Sequence, residues 1–157
     1  MRFATDASLG KLGRHLRAAG FDTQCEHQSR DDDFLGTIDA KRVILTRTKA
    51  VQRRFKDRRL VYIHDNDPLR QMMQVVRELN IKSNDCMPFS RCIVCNRQIQ
   101  PIDKQTIQNR VPAFVWQRHS SFHACGQCHR IYWAGSHQDR MGKRLATIFL
   151  KQESENP

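Results

Sequence analysis

Residues 2–22, RFATDASLGKLGRHLRAAGFD, predict a strand, a helix and the start of a second strand. The first strand runs from Arg2 to Thr5 and leads directly into Asp6. The helix has apolar residues at intervals of three and four, so they share one face. These residues are Leu9, Leu12, Leu16 and Ala19. Gly20 follows where a helix commonly ends. A strand that alternates with a helix favours an α/β fold with a mostly parallel sheet.

The same alternation continues to about residue 85. Further strands are expected at Thr23 to Glu26, Arg42 to Thr46 and Leu60 to His64. Helices are expected within residues 30–39, at 49–55 and at 67–80, and the last is the clearest of the three. Asp67 suits its N-cap and Pro68 its first turn. We therefore expect residues 1–85 to form one α/β domain.

The pattern changes after residue 85 to short apolar pieces that lie between cysteine pairs. AFVWQ at 113–117 and RIYWAG at 130–135 are expected as strands, which makes this second module small and β-rich. We expect it to span residues 86–150 as a zinc ribbon. Residues 151–157 are polar and are expected to be a flexible tail.

Two CxxC pairs carry the metal prediction. They are Cys92 with Cys95 and Cys125 with Cys128. Each pair can present two thiolates from one tight turn, and two such turns complete a tetrahedron around zinc. Four protein ligands leave no position for substrate, so the zinc is expected to be structural and to stabilise the fold of the module. The spacing does not separate zinc from iron.

The net charge indicates a polyanionic partner. The chain has 27 Lys and Arg against 16 Asp and Glu, a formal charge of +11, and such an excess favours nucleic acid over an anionic membrane. No apolar run approaches the roughly 20 residues of a membrane span. We expect a soluble, cytoplasmic protein whose partner is RNA.

Carboxylates at strand ends indicate a second metal site. Mg²⁺ and Mn²⁺ prefer oxygen ligands, and enzymes that cut phosphodiesters gather acids at one edge of the fold. Asp6 follows the first strand, and the acidic run Asp31, Asp32 and Asp33 follows the second. These four are the candidate catalytic residues. Asp65 and Asp67 follow the fourth strand, where capping of the next helix is the alternative.

Several segments together resemble the Mut-seven C-terminal RNase family, over roughly residues 2–150. They are FATDASLGKLGRHLRAAGFD, RVILTR, RCIVCN, VPAFV and FHACGQCHRIYWAGSH, in this order. The resemblance implies a three-layer PIN-like α/β domain followed by a zinc ribbon, and a ribonuclease that depends on Mg²⁺ or Mn²⁺.

The family motif places acids at Asp6, among residues 31–33, and at a third position after LTR. Here that third position is Thr48, since the chain has Leu45-Thr46-Arg47-Thr48 where members commonly have LTRD. A hydroxyl is a weaker ligand for these cations than a carboxylate. Two hypotheses therefore stay open, a metal-dependent ribonuclease and a weakened or inactive protein that binds structured RNA, such as the ribosome or tRNA.

Basic residues near these acids form the predicted RNA-binding surface. Neutralising phosphates with them releases counterions, so affinity would fall with salt. A solvated helix face is the alternative for the basic run at residues 49–59. The candidates are Lys11, Arg14, Arg17, Arg47, Lys49, Arg53, Arg54 and, in the family's GSH segment, His137.

Overall fold

A four-stranded parallel sheet forms the first part of the molecule. The computed structural model describes residues 1–26 and 33–155, with side chains through residue 150. The strands are β1 (Arg2–Thr5), β2 (Asp22–Cys25), β3 (Val43–Thr46) and β4 (Leu60–Tyr62). They lie in the order β2-β1-β3-β4, and each neighbouring pair is parallel. The predicted α/β class with a mostly parallel sheet is confirmed.

Side chains of the central strands alternate between two hydrophobic cores. Phe3 and Leu45 point into the larger core, whereas Ala4 and Ile44 point into the smaller one. Both strands are buried on both faces, as expected for parallel strands covered by helices. The larger core is covered by α1 (Gly10–Ala18), α4 (Pro68–Glu78) and α6 (Ser136–Glu155), and the smaller by α2 (Phe34–Thr37) and α3 (Lys49–Arg54). The expected three layers are therefore present.

Helix α4 begins as its sequence predicts. The Asp67 side chain accepts hydrogen bonds from the backbone N–H groups of Leu69 and Arg70, both at 3.0 Å. Pro68 occupies the first turn, where its missing N–H leaves no partner unsatisfied. This cap sets the start of the helix next to the end of β4.

The strand order predicts a crevice at one edge of the sheet. The chain leaves β1 through α1 on one face to reach β2, and then crosses back on the opposite face to β3 and β4. The direction of winding therefore reverses between β1 and β3. Ligands of open α/β sheets bind at the carboxyl ends of strands at such a point. The residues that follow β1 and β3 are the ones placed there.

Helix α6 returns the chain to the first core. Leu145, Ile148 and Phe149 are buried among the residues of α1 and α4. The helix continues through Glu155, so five residues of the expected tail are helical. Within the described part of the chain, no helix has both the length and the apolar character needed to cross a bilayer.

A separate antiparallel sheet lies in the cysteine module, which we define as residues 91–133. Its strands are β5 (Ile99–Ile102), β6 (Phe122–Cys125) and β7 (Ile131–Trp133), in that order. The prediction of a strand at AFVWQ is wrong, because these residues lie in helix α5 (Ala113–Arg118). Short apolar runs do not separate strand from helix by periodicity alone. Here the carbonyl of Pro112 accepts from the N–H groups of Val115 and Trp116, which starts the helix.

Candidate functional site

Asp6 lies at the carboxyl end of β1, at the point where the winding reverses. Its backbone N–H donates to the Leu45 carbonyl of β3 at 3.3 Å, and the residue is 4% exposed. It also caps a single 3-10 turn formed by residues 7–9. The sheet therefore holds this carboxylate at the crevice between β1 and β3.

Hydrogen bonds from neighbouring residues fix the orientation of the Asp6 carboxylate. Oδ1 accepts from the backbone N–H of Ser8 at 2.9 Å and from its hydroxyl at 2.5 Å. Oδ2 accepts from the Thr46 hydroxyl at 2.5 Å and from the Arg47 backbone N–H at 3.2 Å. Donors from the turn after β1 and from the end of β3 thus hold one acid at the centre of the sheet edge.

Thr48 supplies a further contact to this carboxylate. Its hydroxyl lies 3.4 Å from Asp6 Oδ2, and its backbone N–H donates to the Thr46 hydroxyl at 3.0 Å. The position at which the resemblance implies an acid is therefore next to Asp6. In this chain that position adds a neutral hydroxyl instead of a carboxylate.

Glu26 is an acid at this edge that the sequence analysis did not single out. It follows β2, and its backbone N–H donates to the Thr5 carbonyl at 2.9 Å. Its Oε2 accepts from the Ala7 backbone N–H at 3.0 Å, while Asp6 accepts from the next N–H, that of Ser8. The available signal was its position at the end of the predicted second strand, which lies beside β1 in a parallel sheet.

Asp33 has a local role among the described residues. It caps α2 by accepting from the Gly36 backbone N–H at 3.0 Å, and it pairs with Arg54 at 2.7 Å. The structure gives it no contact with Asp6. The other two acids of this predicted group, Asp31 and Asp32, lie outside the described residues, so their placement stays a prediction.

The acids after β4 also have structural roles. Asp67 caps α4, and Asp65 accepts from the Asp67 backbone N–H at 2.7 Å. Between them, Asn66 accepts a hydrogen bond from the Arg47 guanidinium, which links the ends of β3 and β4. The capping interpretation is therefore confirmed for Asp67.

Most of the predicted basic residues are exposed. Helix α3 begins immediately after Thr48, so its first residue, Lys49, lies close to the same edge. Lys49 and Arg53 have no side-chain partner within the ranges the structure describes, and their charges are available to a ligand. The other exposed members are Lys11 and Arg14 on α1, Arg54 on α3 and His137 in the first turn of α6.

Arg17 does not belong to this surface, and its assignment to RNA binding is wrong. The residue is 5% exposed, and its guanidinium donates to three backbone carbonyls. These are Thr23 at 2.8 Å, Ile93 at 3.1 Å and Val94 at 2.7 Å. The helical face that the sequence pattern places toward solvent is covered by the first CxxC turn. Arg17 joins that turn to the parallel sheet.

An ion pair strengthens the same junction. The Arg42 guanidinium donates to both carboxylate oxygens of Asp22, at 2.8 and 3.0 Å. The Asn96 side chain, which follows the first CxxC, donates to Asp22 at 2.7 Å and accepts from the Thr23 backbone N–H. Burial raises the pKa of Asp22, but the hydrogen bonds from Arg42 and Asn96 outweigh it and hold the pKa below its usual value.

The four paired cysteines converge as predicted. The sulfur atoms of Cys92, Cys95, Cys125 and Cys128 lie within 4.8 Å of one another, and Cys92 and Cys128 are 3.6 Å apart. A tetrahedral zinc site with bonds of about 2.3 Å separates its sulfur atoms by about 3.8 Å. The cluster therefore fits a zinc ion with four thiolate ligands and no open position.

The two CxxC turns have the same backbone geometry. The N–H of Cys92 donates to the Arg97 carbonyl at 2.7 Å, and that of Cys125 to Arg130 at 3.0 Å. The residue after each second cysteine, Asn96 or His129, has a positive φ of 65° or 57°. Two matched turns facing each other are a common way to build a four-thiolate site.

Tyr132 lies directly against the cysteine cluster. Its hydroxyl donates to Cys92 Sγ at 3.0 Å. Burial raises the pKa of Cys92, but this bond and those from the Cys95 and Val94 backbone N–H groups lower it to about 7. A hydrogen bond between the Cys95 and Cys128 side chains, together with burial, raises the pKa of Cys95 to about 12. Thiolates this close oppose one another's ionisation unless a cation lies between them.

A comparison with protein families agrees with these features. The family model described as the Mut7-C RNAse domain matches residues 1–145, which is nearly the whole chain. No curated protein and no solved structure matches the chain significantly. The matched residues include the Asp6 edge and all four clustered cysteines. The chain belongs to the Mut7-C RNase domain family.

Proposed function

We propose that this protein is a cytoplasmic, metal-dependent ribonuclease with a PIN-like fold, which binds RNA across the carboxyl edge of its parallel sheet and hydrolyses phosphodiester bonds there. Membership of an RNase domain family supports an RNA-related, nuclease-like function. The observation that carries the proposal is the pairing of Asp6 and Glu26, which bind successive backbone N–H groups at the switch point of the sheet.

The donor set at this edge suits a hard divalent cation. Asp6 and Glu26 offer carboxylate oxygens, the ligands that Mg²⁺ and Mn²⁺ prefer, and one or two protein carboxylates suffice for Mg²⁺ because it keeps several waters. Asp31 and Asp32 remain candidates for the same cation. When bound, such an ion would lower the pKa of a water and stabilise charge on the phosphate. The three hydroxyls and two N–H groups around Asp6 keep its carboxylate oriented toward the crevice.

The charges beside this edge favour a polyanionic substrate. Lys49 and Arg53 lie on α3, which begins directly after Thr48, and they are exposed. Arg47 lies at the same edge, where Asn66 holds its guanidinium. Phosphate contacts from such residues position a strand without reading its sequence. We expect structured RNA, such as ribosomal RNA or tRNA, as the partner.

One observation favours a second function, RNA binding without cleavage. The Thr48 hydroxyl occupies the place of an acid and contacts Asp6 at 3.4 Å. With a neutral group there and arginines nearby, the site attracts a cation less strongly while still attracting phosphate. A member that keeps the basic surface but has lost turnover would have this arrangement.

A cleavage assay with Mn²⁺ or Mg²⁺ separates the two functions. The purified protein, Asp6→Ala, Glu26→Gln and Thr48→Asp are each incubated with end-labelled structured RNA. For the ribonuclease, the parent cuts, and both acid substitutions lower the rate at least about a hundredfold, which corresponds to roughly 2.7 kcal/mol of transition-state stabilisation. If the protein binds RNA without cleaving it, the parent does not cut the RNA and Thr48→Asp does.

Thr147→Asp is the matched control for Thr48→Asp. It adds the same charge at an exposed threonine on α6, so it should leave cleavage as in the parent. Cleavage that survives in Asp6→Ala would refute a ribonuclease site at the Asp6 edge. RNA binding by none of the proteins would refute both functions.

A further inference from the structure

A cavity of about 400 Å³ lies between the two CxxC turns, and its described lining shares no residue with the Asp6 edge. Its volume is within the range of sites that take a small ligand. Ile93 contributes from the first turn, and His129 and Arg130 from the second. The remaining lining comes from residues 110–112, which precede α5, and from strand β7. The proposed function does not use this site.

The charge of the cavity suits phosphate. Arg110 and Arg130 both line it and both are exposed, and none of the described lining residues is acidic. Arg110 is held in place because its guanidinium donates to the His129 carbonyl at 2.9 Å. The Arg130 guanidinium has no partner in the described part of the chain. One arginine is thus oriented and the other is free to bind.

Two aromatic residues of β7 line the cavity, and as neighbours on a strand their side chains lie on opposite faces. Trp133 packs against the buried ring of Phe122, with centroids 6.5 Å apart, and still lines the cavity. Tyr132 is held by its hydrogen bond to Cys92. Rings fixed in this way can stack on an unpaired base, and such stacking tolerates any sequence because every base has a π-face.

We propose that this cavity binds one unpaired nucleotide of RNA, with the base against Trp133 and the flanking phosphates on Arg110 and Arg130. Strand β7 is an edge strand and could in principle accept a peptide. Two arginines without an acid, on a chain of charge +11, favour phosphate over peptide. The inference rests on the proposed function, because it requires that the protein bind RNA.

The cysteine cluster determines the shape of this site. Ile93 and His129 come from different CxxC turns, and the turns meet at the cysteine cluster and at a hydrogen bond from Arg97 to Gln127. An ion held by the four cysteines would therefore also fix the walls of the cavity, and it would support binding without contacting the nucleotide.

Fluorescence of the two tryptophans tests the site directly, since the chain has two. Trp116→Phe leaves Trp133 as the single fluorophore, and an oligouridylate or oligoadenylate of six nucleotides at low salt should quench it. Trp133→Phe leaves Trp116, whose indole N–H donates to the Lys104 carbonyl at 3.1 Å and which does not line the cavity. Quenching should then be lost.

A charge substitution gives an independent measurement by fluorescence anisotropy of labelled RNA. Arg130→Gln should weaken binding of the oligonucleotide about fivefold, since it removes one phosphate contact. Arg118→Gln makes the same charge change at an exposed residue of α5 outside the cavity, and it should stay within about twofold of the parent. The zinc content of each variant shows that the module is intact.

The outcomes separate the inference from the proposed function. RNA that binds without quenching Trp133, with Arg130→Gln equal to Arg118→Gln, would overturn the nucleotide site and leave RNA binding at the sheet edge standing. If no RNA binds even at low salt, the proposed function fails, and this inference fails with it.

Discussion

Replacing Arg17 by methionine should destabilise the protein by about 3 kcal/mol. Methionine keeps an apolar stem of similar length but removes the guanidinium. The Thr23 carbonyl, on a residue that is 0% exposed, then lacks a partner at a cost of about 1–3 kcal/mol. Ile93 and Val94 are 37% and 40% exposed, so their carbonyls can bind water instead. Loss of each of these two hydrogen bonds therefore costs about 0.5–1.5 kcal/mol of stability.

Urea and thermal unfolding measure this loss. For a domain of this size, 3 kcal/mol corresponds to a Tm lower by about 6–12 °C, and to a urea midpoint lower by about 1.5 M if the m-value is about 2 kcal/mol/M. Arg14→Met is the matched control, because Arg14 is exposed on the same helix. Its effect should stay within about 0.5 kcal/mol.

Hydrogen exchange shows where the destabilisation occurs. The Met87 and Phe89 amides donate to the Ala19 and Ala18 carbonyls at 3.1 and 2.8 Å, next to the junction. Their exchange should accelerate in Arg17→Met more than exchange in β1 does. If Arg17→Met and Arg14→Met unfold alike, the buried guanidinium does not join the two parts, and the reasoning is refuted.

Three further predictions concern the same junction and the metal. Chelation of the bound metal should make residues 91–133 sensitive to protease, because their own core has only four buried residues; resistance after verified metal removal would contradict this. Asp22→Asn should lower stability by about 2 kcal/mol at pH 7. The folded pKa of Asp22 lies below 3.8, so the difference in unfolding free energy between parent and variant, measured in urea, should persist above that pH. It should fall as the pH drops through the folded pKa. A difference that does not change with pH would count against the ion pair. Gly20→Ala should destabilise the protein by at least about 1 kcal/mol. Gly20 has a φ of 97°, and a Cβ there would lie 2.2 Å from the Met87 carbonyl oxygen. Gly10→Ala is the control and should not destabilise the protein in this way, because the space around Gly10 is open.

Local signals in the sequence predicted much of the fold. The apolar run of β3 and the Asp67-Pro68 start of α4 are determined by residues next to each other in the chain, so the sequence alone locates them. The CxxC spacing likewise brings two sulfurs together within one turn, and pairing of the two turns was the simplest arrangement.

Features that depend on contacts distant in sequence were not predicted. Arg17 lies 76 residues before Ile93, and only the packed structure shows that the first CxxC turn covers its face of α1. Glu26 acquires its place beside Asp6 only once β2 is known to pair with β1. Its carboxylate then binds the turn that Asp6 caps, which no spacing along the chain would reveal.

The salt dependence of RNA binding tests the central claim most directly. Lys49→Gln with Arg53→Gln removes two charges at the Asp6 edge, whereas Arg77→Gln with Lys82→Gln removes two near the end of α4, at the opposite edge of the sheet. Anisotropy of a labelled single strand across a potassium chloride series gives the slope of log K against log salt. We expect the first pair to reduce the slope by about 1.4 and the second to leave it unchanged. Equal slopes for both pairs, or no binding by the parent protein at low salt, would contradict the account.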